Sequence, residues 1–231
     1  MPVRAARACL IRITLYQPDN WRVKELWGSR MNWDEVVQHV RSGGLVIYPT
    51  ETLYALGCMS THGDAVEKIF RIKERDQAKS LPLIVADWNM VETFVRLDQD
   101  ALALAQKFWP GSLSLVAPVA DEISPLACGR DGRAAVRMSP HPVARALCQS
   151  VGVPLVATSA NRSGQESAST PQELAGFVAA HPELIVLTNK PWPGGGLPST
   201  LVVLCGPAQV RILRHGAVPA SLLRAAGYDC V

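Results

Sequence analysis

Hydroxyl, amide and cationic side chains gather at the ends of apolar runs in this chain, and their types suit the binding of anions. Leu155-Val156-Ala157 runs into Thr158-Ser159-Ala160-Asn161-Arg162-Ser163-Gly164. Ser159 and Asn161 stand two residues apart, so on an extended backbone both project to one side. A plain turn would use the same residue types, so the stretch gains meaning only beside others. Thr50 and Thr52 follow Leu45-Val46-Ile47-Tyr48-Pro49. Hydroxyls just past a strand lie where ligands bind α/β sheets. Lys73-Glu74-Arg75 closes a helical pattern, and Lys79 follows. These cations either cap the helix electrostatically or bind phosphate, with Arg as a planar fork and Lys as a mobile point charge.

Arg137 ends the apolar run Ala134-Ala135-Val136. A cation at the end of a buried strand needs a partner. A substrate carboxylate, a phosphate or a protein aspartate would each serve. Pro198-Ser199-Thr200 follows the loop Gly194-Gly195-Gly196, and Arg211 and Arg214 close the last strand pair. That loop is either a lid or an ordinary surface loop. His141, beside Pro142, reads as a helix cap rather than a general base. Trp109-Pro110-Gly111 reads as a tight turn with Trp109 in the core. No Cys–His pair, Ser–His–Asp set, paired catalytic carboxylates or metal-ligand cluster stands out, and neither GxGxxG nor GxxxxGK[ST] occurs. Neutral hydroxyls with Lys and Arg bind anions and align reactants; they supply no nucleophile.

The elements that must hold these residues follow from periodicity. Asn32-Trp33-Asp34-Glu35 opens a helix carrying Val36, Val37 and Val40, which Ser42-Gly43-Gly44 ends. Strands are expected at 45–48, 81–86, 112–117, 134–138, 154–158, 184–187, 201–204 and 210–213, the last two as a hairpin. Pro82 places its strand at an edge or at a strand start. Helices are expected at 64–71, with Ala65, Ile69 and Ile72 on one face, and at 98–108, with Leu102, Ala105 and Phe108 inward. Further helices are expected at 142–149, after the capping-box sequence Thr170-Pro171-Gln172-Glu173, and near 221–225. The hairpin and the Pro-bearing strand argue for a mixed sheet within an α/β fold. The strand order is not readable.

Hydrophobic residues make up 48% of the 231 residues and charged ones 19%, enough to bury a sizeable core. No apolar run reaches the ~18–20 residues that span a bilayer. The six cysteines form no CxxC pair, which points to buried free thiols in a reducing, cytoplasmic setting. The net charge of +3 is unevenly spread: residues 1–30 hold six basic and two acidic residues, leaving 17 basic and 18 acidic in the body. Residues 1–30 read as a basic, poorly ordered extension, or else as an arm that touches RNA, with Met31 a candidate internal start and 31–231 the catalytic domain. Elsewhere any attraction for nucleic acid must come from local clustering.

Taken in order, these motifs resemble the YrdC-like family of threonylcarbamoyl-AMP synthases. The set is Tyr48-Pro49-Thr50-Glu51, Lys73-x-Arg75 with Lys79, Trp109-Pro110-Gly111, Ala135-Val136-Arg137 with His141-Pro142, Thr158-Ser159-Ala160-Asn161-x-Ser163-Gly164, Pro198-Ser199-Thr200, and Arg211-Ile212-Leu213-Arg214-x-Gly216. They run through residues 33–217, as in the short, single-domain bacterial form. The resemblance implies a twisted mixed α/β sheet with an open concave face. It implies nucleotidyl transfer, in which L-threonine, bicarbonate and ATP give threonylcarbamoyl-AMP and pyrophosphate for threonylcarbamoyl-adenosine at tRNA position 37. A tRNA threonylcarbamoyl-transferase complex would act downstream. It assigns Thr50, Arg137 and Ser199 to threonine, and Lys73, Arg75, Ser159, Asn161 and Arg214 to ATP, with Lys73 and Arg75 catalytic. Magnesium is expected with the triphosphate and no metal site on the protein.

The chain departs from the family pattern at Asp76, where Pro is common, at Ser80, where Pro or Gly is common, at Ser114, which replaces Thr, and at Leu201-Val202-Val203, where an acid often follows. Asp76 would weaken the cationic cluster by Coulomb attraction. Two rivals share the fold. One is a non-catalytic member that binds double-stranded RNA or tRNA by its backbone. The other acts on a different carbamoyl donor, as in hydrogenase-maturation proteins, which carry extra domains and zinc-finger cysteines.

Overall fold

The computed structural model describes residues 32–162 and 164–231; the basic segment read above as an extension, Met31 and Ser163 lie outside the described residues. Helix α1 (Trp33–Arg41) begins where Asn32 accepts the Glu35 N–H and the Glu35 carboxylate accepts the Asn32 N–H. Its stripe of Val36, Val37 and Val40 is buried. Strand β1 (Val46–Pro49) turns through residues 50–53 and returns as antiparallel β2 (Tyr54–Gly57). Periodicity misses β2 because all four of its residues are buried and none alternates with a polar neighbour.

Helix α2 (Gly63–Lys73) leads to β3 (Leu83–Val85), with Pro82 just before the strand. Two helices follow, α3 (Trp88–Phe94) and α4 (Gln99–Phe108), capped by Asp87 and Asp98. Helix α3 has no strong apolar stripe and escapes a pattern search. Helix α4 buries Ala101, Leu104 and Ala105, so Leu102 faces outward, contrary to the expected face. The stripe runs i, i+3, i+4 from Ala101, and the apolar run offers two such registers.

Next come β4 (Leu113–Pro118), β5 (Arg133–Met138) and α5 (Pro142–Val151). The single strand expected at 154–158 is two, β6 (Leu155–Val156) and β7 (Thr158–Ser159). Helix α6 (Ala175–Ala179) starts later than the capping-box sequence implies, because Pro171–Leu174 forms a separate turn. The Glu173 carboxylate closes that turn by accepting the Ser169 and Thr170 N–H groups. The chain ends through β8 (Ile185–Val186), β9 (Thr200–Gly206), β10 (Gln209–Arg214), α7 (Ala220–Ala225) and β11 (Asp229–Cys230). The two-residue β11 lacks any sequence signal.

The strands form two mixed sheets, ordered β7-β2-β1-β8 and β11-β10-β9-β4-β5-β3-β6. Parallel pairs β1–β8, β3–β5, β4–β9 and β10–β11 sit among antiparallel ones. The result is one mixed α/β domain. Cys58 and Cys148 are buried free thiols, whereas Cys205 is exposed on β9.

The chain passes from one sheet to the other at Ala157. Strand β6 pairs with β3, and β7 pairs with β2. The Tyr48 hydroxyl reinforces the joint by donating to the Val156 carbonyl at 2.8 Å. Gly57 makes room for this approach: a Cβ there would run into the Val156 carbonyl oxygen and come within 2.7 Å of the Tyr48 ring. Gly57→Ala should therefore cost about 1–3 kcal/mol by overpacking. A lower urea midpoint with an unchanged m-value is the expected result; an unaltered midpoint would refute this account of the joint.

Candidate functional site

Two adjoining clefts open beside the sheet joint and share Arg75 and Ser159. The smaller, about 200 Å³, is lined in part by Thr50, Thr52, Tyr54, Arg75, Arg137, Ser159, Ser199 and Arg214. The larger, about 420 Å³, is lined by Lys73, Glu74, Arg75, Asp76, Lys79, Ser159, Asn161 and Gly164. All eight residues that the family resemblance assigns to threonine or ATP thus line one cleft or the other. Arg211, the other arginine of the last strand pair, does not; it lies exposed on β10.

The walls are built from strand and helix ends. Thr50 follows β1, and its hydroxyl donates to the Leu53 carbonyl at 2.7 Å, closing the turn. Helix α2 ends at Lys73, and Glu74 adopts a left-handed conformation (φ 50°) that breaks it. That break sends Lys73 and Arg75 to different partners. Lys73 is 2% exposed. Its ammonium donates to the carbonyls of Ser159 (2.5 Å) and Asn161 (2.7 Å) and to Asn161 Oδ1 (3.2 Å). Burial, and next the like charge of Arg75, push its pKa down to about 8. Arg75 donates through Nη2 to the Ser80 carbonyl at 3.0 Å. Its Nε, like the Tyr54 hydroxyl, is buried with no hydrogen-bond partner among the described residues.

Ser159 and Asn161 do project to one side: the Ser159 hydroxyl donates to Asn161 Oδ1 at 2.6 Å. Asn161 Nδ2 donates to the Gln165 carbonyl, which fixes the amide. Ser199 contacts Ser114 Oγ at 2.9 Å, so the Ser found at 114 supplies the hydroxyl this contact needs. Arg214, at the exposed rim, donates from Nη2 to the Ser199 carbonyl and hydroxyl at 2.8 and 3.0 Å. Partial burial, then Arg137 and Arg75, lower its pKa. Asp76 directs one carboxylate oxygen to the Ala78 N–H at 2.9 Å. It also raises the Arg75 pKa against the larger effect of burial.

Arg137 has a protein partner, but it is a glutamate and not the aspartate considered from sequence. Its Nε donates to Glu51 Oε1 at 2.8 Å, and Ser139 Oγ donates to Glu51 Oε2 at 2.5 Å. Sequence reasoning passed over both Glu51 and Ser139. The signal was available in part: a buried cation demands an acid, and Glu51 stands beside Thr50 in a quoted motif. Tyr54 was passed over too, and Ser114 was noted only as a departure from the family pattern, since neither residue type announces a site.

His141 caps α5. Its Nδ1 accepts the Val143 N–H at 3.2 Å, which leaves Nε2 to donate to the Pro191 carbonyl at 2.9 Å. Burial lowers its pKa, and both nitrogens are engaged, so it is a pin and not a base. The glycine loop is fastened as well: Gly194 and Gly195 donate to the carbonyls of Glu51 (3.3 Å) and Thr52 (2.9 Å). Trp109 is buried in the core, its indole donating to the Leu113 carbonyl at 2.7 Å. Among the described residues, no cluster of three or more His, Cys, Asp or Glu could hold a metal ion, and no helix is long and apolar enough to cross a membrane.

Fold and site together define a mixed α/β domain whose cleft is lined by hydroxyls, carbonyls and guanidinium groups. Residues 38–216 match the Sua5/YciO/YrdC family model, described as "Telomere recombination", and the chain belongs to that family. Among solved structures, Sua5 from P. abyssi complexed with L-threonine is similar at 28% identity and a TM-score of 0.78. That match covers 88% of this chain and 61% of Sua5, so the chain spans about three fifths of that relative's length. E. coli YciO matches at 26% identity and TM-score 0.71, over 81% of this chain and 90% of its own. MTH1692 from Methanobacterium thermoautotrophicum matches at 28% and 0.62, over 83% and 91%.

The depressed Lys73 pKa has a consequence for stability. An unfolded lysine keeps its proton to about pH 10.4, whereas the folded protein releases it near 8. Between those values the unfolded chain binds more protons, so this group's contribution to stability rises with pH. Urea unfolding should show the wild type gaining on Lys73→Met from pH 7.5 to 9.5. A constant difference would contradict the assignment.

Proposed function

We propose that this protein is an L-threonylcarbamoyladenylate synthase. On this reading threonine occupies the smaller cleft, with its carboxylate at Arg137 and its remaining polar groups near Thr50 and Ser199. ATP lies along the larger cleft against Lys73, Arg75, Ser159, Asn161 and Arg214. Bicarbonate condenses with the threonine amine, releasing water. A carbamate oxygen then attacks the α-phosphorus, and pyrophosphate leaves.

The observation that carries the reading is that two clefts share Arg75 and Ser159 and are lined by all eight sequence-derived site residues. A shared wall suits two anionic substrates that must react with one another. The partnerless Arg75 Nε supports a bound acceptor there, since an unmet buried donor costs roughly 1–3 kcal/mol. Cations around a leaving pyrophosphate stabilise charge that develops in the transition state. The solved threonine complex of Sua5 supports threonine as the amino acid. Magnesium would arrive with the triphosphate, and the adenylate would pass to a tRNA-modifying transferase. The buried free thiols of Cys58 and Cys148 support a reducing, cytoplasmic setting.

The test is threonine-dependent release of pyrophosphate from ATP by the pure protein in bicarbonate buffer. Wild type should release it only with threonine, and Lys73→Ala should lower the rate by ~100-fold or more while keeping its fold by circular dichroism. No release from wild type, alongside salt-sensitive binding of double-stranded RNA, would replace the enzyme with an RNA-binding protein.

A further inference from the structure

The Arg137 side chain is 5% exposed and lines the smaller cleft, yet its hydrogen-bond partner is not part of that lining. Its hold comes from behind. Glu51, 11% exposed, takes the Nε edge of the guanidinium at 2.8 Å. Its other carboxylate oxygen is tethered by Ser139 at 2.5 Å, and its backbone carbonyl accepts the Gly194 N–H at 3.3 Å. Glu51 is absent from the residues that line the smaller cleft, whereas Arg137 is present. Among the described residues the Nε bond is the hydrogen bond that fixes Arg137. With Nε engaged, the two terminal nitrogens are left for another acceptor. A guanidinium presents paired donors to a carboxylate only in a fixed plane, and the Nε contact sets that plane.

We propose that Glu51 is a positioning residue: with Ser139 it fixes Arg137 so that the guanidinium presents its terminal edge to the carboxylate of the amino-acid substrate. The proposal rests on reading the smaller cleft as the amino-acid subsite. It also accounts for the glycine loop. Because Gly194 is bonded to the Glu51 backbone, the loop and the arginine share one anchor. Glu51 touches neither substrate and acts through Arg137 alone. A lost tether leaves Arg137 buried without its counter-charge, which turns the guanidinium away from the cleft toward water or backbone carbonyls.

The experiment is a double-mutant cycle read by calorimetric titration with L-threonine and, separately, with ATP, using the full chain. Glu51→Ala should weaken threonine binding by about tenfold or more with ATP affinity unchanged. Arg137→Ala should weaken it at least as much, and the double variant should be no worse than Arg137→Ala, because Glu51 has no path to threonine except through Arg137. Additive losses, an unchanged Glu51→Ala, or equal losses for threonine and ATP would each overturn the proposal. Should Glu51→Ala fail to fold, Ser139→Ala in the same cycle reads the second tether: a loss confined to threonine supports the proposal and unchanged binding overturns it. A wild type that binds ATP but no threonine would instead strike at the proposed substrate, and the positioning role would fall with it.

Discussion

The buried ammonium of Lys73 is the contact on which the rest of the site depends. It joins the last turn of α2 to the end of β7 by donating to the Ser159 and Asn161 carbonyls. A cation withdrawn from water is tolerable only where acceptors replace the water. Here the acceptors are the Ser159 and Asn161 carbonyls and Asn161 Oδ1, just past the point where the chain steps from β6 in one sheet to β7 in the other. The wall of the larger cleft is therefore set by a charge and not by packing alone. The cost is visible in the lysine itself, which burial holds near pKa 8.

That arrangement crowds like charges. Arg75, Arg137 and Arg214 all line the smaller cleft, and no acidic residue among the described residues lines it with them. Their mutual repulsion contributes to the lowered pKa of Arg214. Glu51 answers one of the three from behind, and Ser199 offers Arg214 a carbonyl and a hydroxyl. Anionic ligands would complete the compensation. On the proposed function, part of the binding energy of the two anionic substrates would go into aligning them. The hydroxyls of Thr50, Ser159 and Ser199 add direction without adding charge.

Much of this was legible in the sequence because it lies at strand ends. Apolar runs that stop at Ser, Thr, Asn or Arg mark the edge of the core, and Thr50, Arg137 and Ser159 stand at such stops; Ser199 precedes its strand, and its assignment came from the family resemblance. What stayed hidden depends on long-range pairing. The split of 154–158 into β6 and β7 comes from which strands lie alongside, β3 for one and β2 for the other. The Arg137–Glu51 pair spans 86 residues, and no local pattern distinguishes Glu51 from a solvated acid. The inward face of α4 was misjudged at Leu102 because an apolar run satisfies two helical registers equally, and only the neighbouring sheet chooses. The fastened glycine loop was likewise invisible, since its bonds run to carbonyls that every residue possesses.

The central claim is that this cleft joins two anionic substrates which carry their own reactivity, and the identity of the product tests it most directly. The protein would be incubated with ATP, L-threonine and ¹³C-bicarbonate, and the nucleotide product read by mass spectrometry before it hydrolyses. The account predicts an AMP adduct containing threonine and one ¹³C carbon. An adduct of AMP with unmodified threonine, or AMP-containing products that carry no label, would contradict it.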